Sequence, residues 1–336
     1  MLLFCYLSCV PSPDVPQYTW HGRTMGTTYM VKVTHTKLNA NELAEIKNKV
    51  EEALIEVNRQ MSPYDPQSEI SKFNSSKDTT SFRVSLQFVR VVQTALEVYR
   101  ASEGAFDITV APLVDLWGFG SKGITKEIPS ETEIDSALKN VGSMNLQVID
   151  HVHIKKKIPD LHLDLSAIAK GYGVDVAANI LEASGLSNYM VEIGGEVVAR
   201  GLNAKKEAWK IGIDKPKYNL LPGQELQGIL ALHDVAVATS GDYRNFFEIA
   251  GKKYSHTIDP KTGRPVIHNL ASTTIIAQQC MYADALATAV MVMGKEKGIK
   301  WIENMPGVEA LLIIRHDGDR FESLSTSGFS KYLSSE

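Results

Sequence analysis

The chain has 336 residues, 44% of them apolar and 22% charged, which is the mixture of a folded globular protein and excludes a disordered chain. That length holds one large domain or two closely packed lobes. A net charge of -4 supplies no broad positive field, which argues against a general electrostatic grip on nucleic acid and means that any bound phosphate is held locally.

The three cysteines, Cys5, Cys9 and Cys280, are too few and too scattered for a disulfide framework or a cysteine metal site. The apolar start lacks the basic flank and length of a complete signal peptide. Leu7-Ser8-Cys9 before the proline-rich Val10 to Pro16 resembles a bacterial lipoprotein cleavage site. On that reading residues 1-19 are a signal-peptide remnant and tether, with the lipid on Cys9, and residues 20-336 are the folded domain. The protein is then lipid-anchored, on the periplasmic side of the inner membrane or at the cell surface. A frayed terminus of no special meaning is the other reading of the same residues.

Tyr29 to Val33 alternates like a half-buried strand, and Asn41 to Met61 places Leu43, Ile46, Val50, Leu54, Val57 and Met61 at helical spacing. Gln87 to Ala101 repeats the helical pattern and ends before Gly104. A turn-rich stretch, Trp117 to Gly123, follows. A third helix spans Ile168 to Ser184, with Gly185 as its stop. Strand-like runs then dominate at Tyr189 to Arg200, Trp209 to Asp214, Gly228 to Ala238 and Phe246 to Ile258, with turns at Gly251-Lys252 and Pro260 to Gly263. A helix from about Tyr282 to Met293 and a hairpin around His316 to Asp319 close the chain. The sum is one α+β unit, bilobed at most, with a largely antiparallel sheet flanked by helices.

Several short clusters carry polar chemistry. Asp284 and Thr288 stand four positions apart, so a helix sets both oxygens on one face, where they suit a hard cation such as Mg2+. A helix cap and a back-bonded threonine would look the same. Asp164 to Tyr172 opens a helix with small residues and Lys170, a place for an anion, although no glycine-rich phosphate loop is present. Its other reading is an ordinary helix start. Gly194-Gly195 interrupts a strand run, for which a β-bulge is the default explanation. His256 offers a proton acceptor or a structural imidazole, and Tyr64 and Trp117 offer flat faces for a ring ligand or simple core packing.

Eight blocks occur in a distinctive order: Thr24 to Tyr29, Met61 to Asp65 with Ser68 to Asn74, Gly104 to Leu113 with Leu116 to Gly120, Asp164 to Tyr172, Val191 to Glu196, Ala238 to Tyr243, His256 to Pro265, and Ala283 to Ala289. Together they resemble the FAD:protein FMN transferase (ApbE, thiamine-biosynthesis-lipoprotein-like) family over nearly the whole chain after residue 20. The resemblance implies that FAD lies across Met25, Tyr64, Ala105, Phe106, Asp107, Ser166, Tyr172 and Ile258, in part through backbone atoms. It implies a Mg2+ site from Asp284, Thr288 and the backbone carbonyls of Ala169 and Ala287. Some relatives carry an acidic residue where this chain has Ala287, so one side-chain ligand is missing here.

The activity so implied moves the FMN half of FAD to a threonine or serine hydroxyl of another protein and releases AMP. His256 is the expected base, with Asp284 as the alternative. Acceptors in such families are flavoproteins, for example subunits of ion-pumping quinone reductases, and the acceptor motif Asp-Gly-x-Ser/Thr-Gly-Ala-Ser/Thr does not occur in this chain. Two other functions fit the same residues: an FAD pyrophosphatase, in which water replaces the hydroxyl, and a carrier lipoprotein that stores FAD intact.

Overall fold

The computed structural model describes residues 15-120, 123, 127-218, 220-221, 223-243, 245-249, 252-317 and 320-334. Cys5, Cys9 and most of the tether lie outside the described residues, as do Arg244, Gly251, Gly318 and Asp319. Among the described residues no helix is long and apolar enough to cross a membrane.

The framework is an eight-stranded sheet of Gln17–Thr24 (β1), Thr27–Thr34 (β2), Tyr189–Ile193 (β3), Glu196–Arg200 (β4), Val235–Gly241 (β5), Leu270–Ala277 (β6), Glu309–His316 (β7) and Arg320–Ser325 (β8). The strands lie side by side in chain order, and every neighbouring pair is antiparallel. Every α-helix and every smaller sheet among the described residues is inserted between strands. The largest insertion, between β2 and β3, contains helices Ala40–Met61 (α1), Glu69–Ser75 (α2), Leu86–Ala101 (α3), Ala111–Leu116 (α4), Glu131–Leu138 (α5) and Ser166–Ala183 (α6). Helices Cys280–Met293 (α7) and Lys295–Glu303 (α8) join β6 to β7.

Local chemistry accounts for these elements. Asn39 and Glu42 form a reciprocal capping box at the start of α1, and Ser68 and Ser85 cap α2 and α3. The predicted apolar stripe of α1 is buried at Ile46, Val50, Leu54, Val57 and Met61. All eight residues of β6 are buried. One face of the sheet is covered by helices, while the other meets the hairpin of Trp209–Asp214 and Leu226–Leu232, so Ile275 and Ile276 enter different core clusters.

Helices α6 and α7 meet at van der Waals limits. A Cβ at Gly171 would stand 2.4 Å from the carbonyl oxygen of Cys280, and that oxygen belongs to backbone and cannot swing aside. Asp175 of α6 accepts the N–H groups of Cys280 and Met281, each at 2.9 Å, and so caps α7 from another element. Burial pushes the Asp175 carboxyl up to about 6 against those two bonds. Gly171→Ala is expected to cost about 1–3 kcal/mol of stability by overpacking. A thermal melt checks this, and an unchanged Tm would show that the helices can part freely.

The structure departs from the sequence reading at four places. Gly194 and Gly195 are the two central residues of a tight β3–β4 hairpin, with Ile193 opposite Glu196 and φ of +61° and +103°, and form no bulge. The run Gly228 to Ala238 breaks at His233-Asp234, where Asp234 takes φ +54°, and its halves join different sheets. Pairing of β1 with β2 starts at Gln17, three residues inside the stretch assigned to the tether. The Phe246 to Ile258 run is three short strands, Phe246–Ile249, Lys252–Ser255 and Ile258–Asp259.

Candidate active site

A cavity of about 890 Å³ opens between the helical insertion and the ends of β4 and β5, near the top of the roughly 300–1,000 Å³ range of ligand pockets. Met25, Tyr64, Ala105, Phe106, Asp107, Ser166, Ala169, His256, Ile258, Asp284 and Thr288 all line it. Residues 263 positions apart in sequence are therefore neighbours on one surface. Tyr172 and Ala287 are not among the lining residues: both are buried in the helix-facing core cluster. Trp117 is likewise core, donating from Nε1 to the Gly263 carbonyl at 2.7 Å and stacking on Tyr254, so it offers no free face to a ligand.

Met25 and Gly26 make the two-residue turn between β1 and β2, both at positive φ, +50° and +73°. A side chain at positive φ is uncommon and often functional. Its methyl group lies where a Cβ of Gly173 would be, 2.5 Å away, so the missing side chain on α6 lets Met25 lie against the helix. Tyr64, 71% exposed, stands in the cavity wall with its ring available for stacking. Asp107 is different. Its carboxylate accepts from the N–H and hydroxyl of both Thr109 and Ser143, at 2.6 to 3.0 Å, so it fixes the wall built by Ala105 and Phe106, whose own N–H groups bond to the Ser102 carbonyl and hydroxyl.

The polar end is built where α6, α7, β4 and β5 converge. Asp284 on α7 is buried, and its Oδ2 accepts the Gly171 N–H at 3.0 Å. Thr288, one turn on, shares a 3.2 Å hydrogen bond with Ser240 at the end of β5. Lys170 lies 3.0 Å from Glu196 Oε1 and 3.9 Å from Asp284 Oδ2. Burial draws the Lys170 ammonium toward neutrality, but the charges of Asp284 and Glu196 outweigh it and keep the lysine charged. Burial pushes the Glu196 carboxyl up and the Lys170 charge opposes that rise, and its Oε2 is buried without a hydrogen-bond partner among the described residues.

Among the described residues no group of three or more His, Cys, Asp or Glu converges as a metal cage. The donors on offer are one carboxylate, the Thr288 hydroxyl and the Ala169 carbonyl, all hard oxygens. That set fits Mg2+, which keeps waters and shares substrate phosphates, and does not fit zinc, which prefers nitrogen and sulfur.

His256 approaches from the hairpin Phe246–Ile249/Lys252–Ser255. Its Nδ1 is 2.9 Å from the Asn245 carbonyl, which can only accept, so Nδ1 carries the proton and Nε2 keeps a lone pair. Burial lowers its pKa, Lys170 adds to that, and the Asn245 bond with the charges of Asp242 and Asp164 opposes it. The ring meets Phe119 edge-on, and Phe119, Phe247, Tyr254 and Trp117 stack in succession behind it.

The sequence reading did not single out Ser240 or Glu196 as separate site residues. Both lie within blocks it quoted, but their partners Thr288 and Lys170 are 48 and 26 positions away.

A model of the ApbE family matches residues 25–312. The FAD:protein FMN transferase of Vibrio cholerae is 42% identical over 313 residues, 93% of this chain and 92% of that one. The Escherichia coli K12 protein of the same name is 37% identical over 320 residues, 94% and 89% of the two chains. Among solved structures, the flavin transferase ApbE from Vibrio cholerae superposes with a TM-score of 0.85 at 40% identity, covering 95% of this chain and all of that one. The apo flavinyl transferase ApbE of Pseudomonas stutzeri gives 0.85 at 36% identity, with 95% and 98% covered. A match of family model, sequence and fold along nearly the whole length leaves one conclusion: this chain belongs to the ApbE family.

Proposed function

We propose that this chain transfers the FMN portion of FAD to a threonine or serine hydroxyl of an acceptor protein and releases AMP. The observation that carries the reading is the convergence of Asp284, Thr288, Lys170 and His256 on one dinucleotide-sized cavity, in a chain whose relatives are named for this reaction. Asp284, Thr288 and the Ala169 carbonyl would hold Mg2+, which would supply charge neutralisation at the pyrophosphate.

The chain's own residues do the rest. Met25, Tyr64, Ser166 and the backbone of Ala105 and Phe106 seat FAD, and the Lys170 ammonium adds positive charge beside the phosphates. His256 Nε2 takes the proton of the acceptor hydroxyl as that oxygen bonds to the phosphorus on the FMN side. The bond from this phosphorus to the bridging oxygen breaks, and the oxygen leaves with AMP.

Incubation with FAD, Mg2+ and a peptide bearing the acceptor motif, read by mass spectrometry, tests this directly. The expected result is a Mg2+-dependent mass gain of one FMN less water on the peptide. An unmodified peptide with FMN and AMP in solution would make the protein a pyrophosphatase, and intact FAD would make it a carrier. Flavoprotein acceptors such as quinone reductase subunits, and anchorage through a lipid on Cys9 at the periplasmic face, are parts of the same proposal. Cys9→Ala is expected to shift the protein from the membrane to the soluble fraction.

A further inference from the structure

Arg315 on β7 does not line the cavity, yet it is among the most heavily engaged side chains beside it. Its guanidinium makes a two-pronged pair with Asp242, Nη1 to Oδ2 at 2.7 Å and Nη2 to Oδ1 at 2.9 Å, and Nη2 also donates to the Pro216 carbonyl at 3.0 Å. Its Cζ lies 4.5 Å from the centre of the Tyr218 ring, and Tyr218 in turn meets Phe246 edge-on with centroids 4.8 Å apart. Both charged partners are largely buried, at 18% and 14% side-chain exposure. A pair this shielded and bidentate fixes geometry better than a surface contact does.

What it fixes is the segment that follows β5. Asp242 comes two residues after Ser240, the partner of Thr288, and three before Asn245, whose carbonyl receives both the backbone N–H and Nδ1 of His256. Phe246, held through Tyr218, begins the strand opposite Ser255, the residue before His256. One guanidinium thus reaches the imidazole through Tyr218 and Phe246, the residue that follows Asn245 and pairs with Ser255, while it also anchors Asp242 by its fork.

We infer that Arg315 is a positioning residue for His256: its clamp on Asp242 holds the Asn245 carbonyl where it selects the Nδ1–H tautomer and turns Nε2 into the cavity. The inference rests on the reading of His256 as the base. It assigns Arg315 and Asp242 to the rate of transfer and not to the binding of FAD.

The test uses the full chain with FAD, Mg2+ and the acceptor peptide. Arg315→Lys keeps the charge and loses the fork, and Asp242→Asn keeps the shape and loses the charge. Each is expected to lower kcat about 100-fold, the usual consequence of about 1 Å misplacement, while KM for FAD stays within about twofold. Nitrogen NMR of the His256 imidazole, assigned against His256→Ala, is expected to show loss of the pure Nδ1–H form in both variants without FAD present. An unaltered tautomer with kcat near wild type in Asp242→Asn overturns the clamp, as does a change confined to KM. If Arg315→Lys does not fold, Asp242→Asn decides alone. Full activity of His256→Ala would instead sink the base assignment while the tautomer measurement still reports on the clamp, so the two failures are separable.

Discussion

Asp284→Asn is expected to reduce transfer at least 10³-fold while the Tm stays within a few degrees of wild type. The two parts have different causes. The carboxylate accepts the Gly171 N–H through Oδ2, a contact an asparagine oxygen can keep, so the seam between α6 and α7 survives. The negative charge that would hold the divalent ion is lost, and ion-assisted stabilisation of a phosphoryl transition state is worth several kcal/mol, at about 1.4 kcal/mol per factor of ten. No neighbouring group restores it: Thr288 and the Ala169 carbonyl are neutral, and Glu196 is paired with Lys170. Asp284→Ala should be equally inactive and less stable, because the buried Gly171 N–H loses that acceptor. Asp284→Asn with rates within threefold of wild type, at saturating Mg2+, would end the metal assignment.

His256→Gln is expected to cost about 10²- to 10⁴-fold in kcat, the usual worth of a positioned base. The pH dependence should change with it. A base acts when unprotonated, so the wild-type rate rises with pH through the His256 pKa and then levels off. Burial lowers that pKa, with Lys170 reinforcing it, which places the acid limb below the ordinary imidazole value of about 6.5. The variant should lose this limb, and its residual rate should be flat across the same range. Measuring kcat from about pH 5 to 8 for both proteins decides it. Superimposable profiles would transfer the proton-accepting role to another group.

Much of the fold was legible because its signals are local. The α1 stripe and the glycine stop after α6 are written within a few residues of where they act. The short α2, α4 and α5 were not legible, since a helix of six to eight residues spans about two turns and shows little periodicity. β1 alternates in exposure, but the inward positions of its second half are Gly22 and Thr24, so only Tyr18 and Trp20 mark the pattern in the sequence. The glycine pair at 194–195 marked a break correctly, but whether a break is a bulge or a turn depends on the partner register of Glu196, which one strand alone does not reveal.

The site divides in the same way. Asp284 and Thr288 share a helix face, so their kinship was visible in spacing. The Lys170–Glu196 pair and the Arg315–Asp242 clamp depend on strands and helices meeting across 26 and 73 positions, and no short window contains both members. Placement of FAD-binding residues came from resemblance to a family and not from pattern. The cavity gathers all of those residues but Tyr172, which the core absorbs.

The strand order has a consequence for how the protein is made. β2 must pair with β3, Tyr29 opposite Ile193 and Val33 opposite Tyr189, yet about 150 residues are synthesised between them. At roughly 5–20 residues per second, the nascent β1–β2 hairpin waits on the order of 10–30 s on the ribosome with Tyr29, Val31 and Val33 lacking their final neighbours. Those three side chains are almost wholly covered in the finished molecule. Newly made chains therefore pass through a stage with an open, sticky strand edge, the state in which a chaperone has most to offer and in which crowding by other unfinished copies does most harm.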